Sequence, residues 1–500
     1  MHETLKAPRK LAVDGSHSLP LVRGGVLLLA AWFLLCPPEA EARGRYYNHS
    51  STIETSHPDW MSWVPGQTNL AALSLPGTHD TMSFHGGVLV QTQSMPLRTQ
   101  LEAGIRVLDI RCRHIDDRFT IHHGEVYQQA NFDDVLQATI QFLREHPTET
   151  VLMKVQQEHE AENTTRSFAE TFAWYRSQSA YSPYLWTGTY LPSLDQVRGR
   201  IVILQAFSGG SYGVRWPSDG SSASFDIQDE WEVTWVWNIP AKWEQARAQF
   251  METNSGSASV MYVNFLSGSS HTGGVYPYTV ASGEGSVYRG TNDQALEYLV
   301  AGNVQRTGVV MMDFPGAGLI DAIIAHNFRL VPVTVQPRSD FDFIFKSVAW
   351  SFSGDAQERW NQEKTFLSNV LPGRTWQWMA LKSQASFVQY SEGLSSESSE
   401  IDGYTHAALT VRSLSTAVSQ SSLQAAVISR LPLLTGEAQS RAIGLYGHLA
   451  TSFPFQSWMV VVKKAPGGLE NWAYATYGIN PVYKVQLGDY LYAVWGYDAQ

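Results

Sequence analysis

"NFDDVLQATIQFLREHPTETVLMKVQ", residues 131–156, carries two periodicities in succession. In its first part Val135, Leu136, Ile140 and Leu143 recur at helical spacing, with Asn131 or Asp133 as a cap and Pro147 as a stop. Its second part, "TVLMKVQ", is a short apolar run of strand length. The same alternation extends from about residue 69 to residue 327. The other strand candidates are "AALSLPG", "VLDIRC", "RIVILQAF", "SVMYVNF" and "GVVMMDF". Apolar strands joined by helical crossovers predict a parallel α/β sheet, and this many of them predict a barrel.

Polar residues gather where such a barrel keeps its chemistry, at the carboxyl ends of the strands. His79 and Asp80 follow the first run, Asp109 and Arg111 sit on the second, and His123 follows "RFTI". Gln156 and Glu158 lie on the next, and Asp313 on the last. Two histidines, an arginine and neighbouring carboxylates are the parts needed to cleave a phosphodiester without a metal. One group takes a proton from the attacking hydroxyl, a cation meets the charge on phosphorus, and another group protonates the leaving oxygen. A carboxylate beside an imidazole orients it and raises its pKa. Taken singly, His79 also reads as a loop or core histidine, Arg111 as an ion-pair partner of Asp109, and Asp313 as a strand-end cap. Glu158 reads equally as an organiser of the site and as a solvated ion pair. Strand alternation turns His122 away from His123.

The remaining chain frames this region. With 500 residues, 12% aromatic and only 16% charged, the sequence has the profile of an ordered protein. Its formal charge of -11 excludes a broad positive field for nucleic acid or anionic membrane, so any membrane contact rests on local apolar patches. Trp235, Trp237, Tyr276 and Tyr278 are candidates for such a rim, or for core. Lys6, Arg9, Lys10 and Arg23 precede the apolar run "VLLLAAWFLLC", and Ala40 and Ala42 follow it, which predicts a secretory signal over residues 1–42 and an extracellular destination. A retained anchor is the alternative. Removing the signal leaves Cys112 without an intrachain disulfide partner. Asn48 and Asn163 open glycosylation triplets.

The barrel is assigned to residues 43–332 and a C-terminal α+β module to residues 333–500. In the module "SLSTAVSQSSLQAAVISRL" reads as a helix, "SEGLSSESSEIDG" as an exposed loop, and "SWMVVVKK" and "NWAYATYGI" as a hairpin around "APGGLE". No internal repeat stands out.

The stretches "LSLPGTHDTM", "LEAGIRVLDIRCR", "IHHGEVYQQANFDDVLQATIQFLREHPTETVLMKV", "RGRIVILQAFSG", "IQDEW", "MYVNFLSGSS" and "GVVMMDF" together resemble the secreted bacterial-type phosphatidylinositol-specific phospholipase C family, over about residues 60–327. The resemblance implies a distorted TIM-like barrel and cleavage of phosphatidylinositol, or of a glycosylphosphatidylinositol (GPI) anchor, at a membrane surface. It implies His79 as general base supported by Asp313, His123 as general acid coupled to Asp80, and Arg111 as the phosphate-binding cation beside Asp109. Asp229 matches a contact to a headgroup hydroxyl. It implies no metal and no other cofactor, because calcium-dependent relatives gather oxygen ligands where Arg111 stands. Three positions depart from the family pattern. Gln156 and Ala206 replace basic residues, and Trp231 replaces a tyrosine that stacks on the inositol ring. Two other readings stand beside it. One is a catalytically weak barrel that binds inositol lipids or glycans. The other is a glycerophosphodiesterase or sphingomyelinase D relative, which would carry a Glu-x-Asp metal pattern where this chain has Asp109-Ile110-Arg111.

Overall fold

The opening stretch folds as a helix, Phe132–Glu145, followed by a strand, Val151–Gln157. The Asp134 carboxylate accepts from the Asn131 backbone N–H at 2.8 Å, satisfying one of the free donors at the helix start. The helix buries Val135, Leu136, Ile140 and Leu143, and it ends at His146, before Pro147. The computed structural model describes residues 45–270, 274–285 and 287–330, and beyond them the helices and strands that lie between 356 and 498. The expected signal segment, residues 1–42, lies outside the described residues.

Among the described residues, thirteen strands make up the first part. They are β1 (Leu75–Thr78), β2 (Val107–Ile115), β3 (Arg118–His123), β4 (Val126–Asn131), β5 (Val151–Gln157), β6 (Leu185–Trp186), β7 (Ile201–Ala206), β8 (Val214–Arg215), β9 (Phe225–Gln228), β10 (Met261–Phe265), β11 (Gly283–Glu284), β12 (Tyr288–Arg289) and β13 (Val309–Met312). One sheet runs β6-β7-β5-β2-β1-β13-β10-β9, and every pairing along that path is parallel. β1, β10 and β13 are buried at every position, as expected of strands covered on both faces. Pairing each such strand with a following helix curls the sheet into a TIM-like barrel.

The barrel's distortion is an open seam. β8 pairs with β7, but among the described residues no ladder joins β8 to β9. The connecting run 216–224 reads "WPSDGSSAS", without the apolar periodicity of a crossover helix. A parallel neighbour needs a crossover of about a dozen residues. β2 also runs past the barrel wall and carries β3 and β4 as an antiparallel flap. At the other end of the strands Arg106, fully buried, donates to Glu149 at 2.8 Å and to the carbonyls of Leu101, Ile105, His57 and Pro58. The pair is thus hydrogen-bonded on all sides, the condition for tolerating buried charge.

The C-terminal region is α+β, yet its wiring differs from the sequence expectation in three ways. The first concerns the presumed loop: Ser396–Ile401 is a strand, paired antiparallel with Tyr404–Val411. The sequence between them, Asp402-Gly403, is a favoured hairpin dipeptide, and that signal outweighs the low apolar content of the strand. Second, the 457–464 and 471–479 runs do not form a hairpin. Gln456–Lys464 pairs with Phe387–Ser391 and Tyr490–Asp498, whereas Trp472–Thr476 pairs with Thr375–Lys382 in the other sheet.

Third, the region is an internal repeat. Each half opens with a helix, Ala356–Val370 or Ala438–Ser452, followed by four strands. The sheets run Ser396–Ile401, Tyr404–Val411, Thr375–Lys382, Trp472–Thr476, and in the other half Tyr483–Leu487, Tyr490–Asp498, Gln456–Lys464, Phe387–Ser391. Each sheet therefore contains the first, third and fourth strands of one half and the second strand of the other. The two halves share Ala-Gln-x-Arg at the helix start (Ala356 and Ala438) and Trp-Met on the first strand (Trp378-Met379 and Trp458-Met459). So short a shared pattern is invisible until the strand order exposes it. The expected helix is present as Gln420–Arg430.

Candidate active site

β1 and β13 are in register with Thr78 opposite Met312, so the next residues, His79 and Asp313, face each other. The His79 N–H donates to the Met312 carbonyl at 3.0 Å, and the side chains meet at 2.8 Å between Nδ1 and Oδ1. On the other side of the ring, Nε2 lies 2.8 Å from Nη2 of Arg111. A guanidinium can only donate, so Nε2 is the acceptor and the ring proton sits on Nδ1, pointing at Asp313. The free imidazole thereby keeps its basic nitrogen turned toward the cation. Burial pushes the Asp313 carboxyl above its usual range, an effect that the nearby His79 partly offsets. Asp313 Oδ2 is buried without a hydrogen bond.

Asp80 follows in the left-handed region, with φ of 39°. Aspartate tolerates this conformation better than most residues. The turn sends its carboxylate away from His79 and toward the flap. There Oδ2 lies 2.9 Å from Nδ1 of His123, the last residue of β3, although not in line for a good hydrogen bond. The same ring nitrogen is 3.1 Å from Ser83 Oγ. That hydroxyl already donates to the Val90 carbonyl at 2.8 Å, so it accepts from His123. Nδ1 therefore carries a proton and Nε2 is left for a ligand. Burial alone would lower the His123 pKa and Arg111 opposes its charge, but the Asp80 carboxylate outweighs both and holds it above the ordinary imidazole value.

Arg111 joins the two histidines. Its Nε and Nη2 lie 3.3 and 3.2 Å from Asp109 Oδ2, and Nε lies 3.8 Å from Asp80. Burial works against its charge, yet Asp109, Asp80 and Glu158 more than compensate, and the guanidinium is held firmly protonated. Glu158 accepts from the Gly124 N–H at 2.8 Å, which anchors the turn directly after His123. The organising role, left open by the sequence, is the one this contact supports. His122 points away and packs against Tyr127.

The remaining expected residues form the surrounding wall. β2, β5 and β7 align Arg111, Gln156 and Ala206 in one row across the strands. Asp229 and Trp231 are exposed, just past the carboxyl end of β9. Two buried lysines were missed in the sequence. Lys154 is 3.0 Å from Asp109 Oδ1, one row below Gln156. Lys242, in the first turn of the helix Ile239–Ser255, donates to Gln228 Oε1 at 2.9 Å, and burial lowers its pKa to about 8 despite the nearby acids Asp229, Glu230 and Asp313. A lysine inside an otherwise apolar strand, as in "VLMKV", is itself the signal, because lysine is almost never buried unless paired.

Residues 73–206 match the family described as phosphatidylinositol-specific phospholipase C, X domain. A 1-phosphatidylinositol phosphodiesterase from Listeria monocytogenes is 32% identical over 292 residues, which cover 54% of this chain and 84% of the relative. The chain belongs to the phosphatidylinositol-specific phospholipase C family. A 1-phosphatidylinositol phosphodiesterase from Staphylococcus aureus is 28% identical over 307 residues, 53% of this chain and 91% of that family member. The solved structure of the Listeria monocytogenes phosphatidylinositol-specific phospholipase C aligns with 54% of this chain and 99% of its own at 29% identity, with a TM-score of 0.45. Family membership thus attaches to the barrel region, and the C-terminal repeat lies beyond the matched span.

Proposed function

We propose that this protein is a secreted, metal-independent phosphodiesterase that cleaves phosphatidylinositol, or the same bond in GPI anchors, to diacylglycerol and a cyclic inositol phosphate. One observation carries the reading: His79 and His123 are each backed by a buried carboxylate on Nδ1, with the Arg111 guanidinium between them. His79 Nε2 takes the proton of the inositol 2-hydroxyl, whose oxygen attacks phosphorus. Arg111 stabilises the charge on the phosphoryl oxygens, and protonated His123 delivers a proton to the departing diacylglycerol oxygen. The attack is intramolecular, so much of the acceleration comes from proximity. The acids a metal would need are already engaged: Asp109 holds Arg111 and Lys154, and Asp80 lies between Arg111 and His123.

Purified protein incubated with phosphatidylinositol in EDTA is expected to form cyclic inositol phosphate, read by phosphorus NMR. Activity seen only with added magnesium would instead favour the glycerophosphodiesterase-like reading. Lipid binding without product would favour a weak or silent barrel, to which the cation-poor row of Gln156 and Ala206 lends support.

Access to a lipid rests on an apolar rim. Leu89, Trp235 and Trp237 are 66%, 45% and 57% exposed, Leu89 in the segment after β1 and the tryptophans at the 3-10 turn Val236–Asn238 after β9. Trp235 and Trp237 stack at 5.2 Å, and Tyr276 and Tyr278 stack at 5.6 Å after β10. A stacked, exposed tryptophan pair marks an interaction surface, and tryptophan suits the membrane–water boundary. The double variant Trp235→Ala/Trp237→Ala is expected to bind phosphatidylinositol vesicles about tenfold or more weakly. Its kcat/KM on a water-soluble inositol phosphodiester should stay unchanged. Equal vesicle affinity in sedimentation assays would reject the rim.

A further inference from the structure

Arg111 can bind a phosphodiester only if its charge is not already neutralised, and its surroundings are acidic. Asp80 and Asp109 are buried beside it and Glu158 adds to their field, so with both imidazoles neutral the acids facing Arg111 outnumber its single charge. The strand rows show what offsets them. The upper row, Arg111–Gln156–Ala206, has no second cation, whereas the row beneath reads Asp109–Lys154–Leu204. Lys154 is 5% exposed, so it is closed off from a ligand in the site. Its ammonium lies over the rings of Trp216 and Phe265, at 5.2 and 5.9 Å from their centroids, a setting that favours a desolvated cation.

Asp109 divides its oxygens between the two cations. Oδ1 accepts from Lys154 at 3.0 Å, while Oδ2 accepts from Arg111 and from the Asp80 N–H, the latter at 3.2 Å. We propose that Lys154 is a positioning residue that keeps Arg111 available for the phosphate: by engaging Oδ1 of Asp109, it leaves that carboxylate to orient the guanidinium without neutralising it. The inference rests on the headgroup reading given above. It accounts for a site that lacks cations at 156 and 206, since the compensating charge stands one layer deeper.

The test compares an anionic and a neutral probe, myo-inositol 1-phosphate and myo-inositol, by calorimetry with the full-length protein. Lys154→Met is expected to weaken the phosphate probe by about 10- to 100-fold, the range of one charge-assisted hydrogen bond, and to leave myo-inositol within about twofold. A purely structural role would weaken both alike, and that outcome overturns the proposal. Removing one member of a buried ion pair can also unfold a protein. Lys154→Arg keeps a cation on Asp109 Oδ1 with Asp109 itself untouched, and is expected to hold the phosphate probe within about threefold of wild type. A folded Lys154→Arg variant that binds it tenfold or more weakly overturns the proposal, because the charge on Asp109 would still be met and Arg111 would still fail to bind. Wild type that binds neither probe would sink the headgroup reading together with this inference. Wild type that binds the phosphate, beside a Lys154→Met variant that binds it equally well, would sink the inference alone.

Discussion

Replacing His79 with asparagine is expected to lower kcat on phosphatidylinositol by about 10³- to 10⁴-fold while the protein stays folded. Asparagine places an amide N–H near the position of Nδ1 and so keeps a donor for Asp313, but it has no basic nitrogen at the position of Nε2. The loss is then one of proton transfer and not of packing, and its size is that of a general base removed from a positioned site. Alanine is the poorer choice. It would leave the Asp313 carboxylate, already short of a partner on Oδ2, buried without any partner at the site of the ring. Unchanged binding of myo-inositol 1-phosphate would show that the pocket is intact. A variant retaining more than about a tenth of wild-type kcat would remove His79 from the role of base.

The His79–Asp313 pair was legible because it depends on two strand ends alone. "LSLPGTHD" and "GVVMMDF" are the first and last strands of the barrel, and the register that sets Thr78 beside Met312 brings the next two residues together. His123 was legible in chemistry but not in placement. It sits on a flap that grows from β2, a local antiparallel addition that barrel periodicity does not announce. Lys154 was obscured because "VLMKV" reads first as an apolar strand, and its partner Asp109 lies on a neighbouring strand far away in sequence.

The open seam and the C-terminal repeat failed to show for a different reason. Neither is carried by a periodicity within one segment. The seam follows from what the run 216–224 lacks, and the repeat from strands that leave their own half to join the other. Consecutive strands pair or neighbour in roughly two-thirds of cases. That expectation pointed to a hairpin at 457–479, and the exchange of second strands defeated it.

The alkaline limb of the rate profile should identify the acid. In the proposed reaction His123 is protonated when the diacylglycerol oxygen leaves, and its pKa stands above the ordinary imidazole value, about 6.5, because Asp80 outweighs burial and Arg111. In wild type kcat/KM should therefore fall only above that value. Asp80→Asn removes the main influence holding the pKa up, leaving only the smaller one of Glu158, and keeps both that lower it. The limb should move toward acid, with a loss of about 10- to 100-fold at pH 8 and a much smaller one near pH 5.5. Stability must follow the same sign. A histidine whose pKa is raised by folding contributes stability in full below its unfolded pKa and loses it as pH rises through the folded value. The Tm difference between wild type and Asp80→Asn should accordingly narrow from pH 6 to pH 9. Rates are best taken on a water-soluble inositol phosphodiester, since the negative surface of a lipid vesicle shifts local pH. A uniform loss at every pH, with the limb unmoved, would mean that Asp80 serves only the turn at its φ of 39° and that His123 is not the acid it backs.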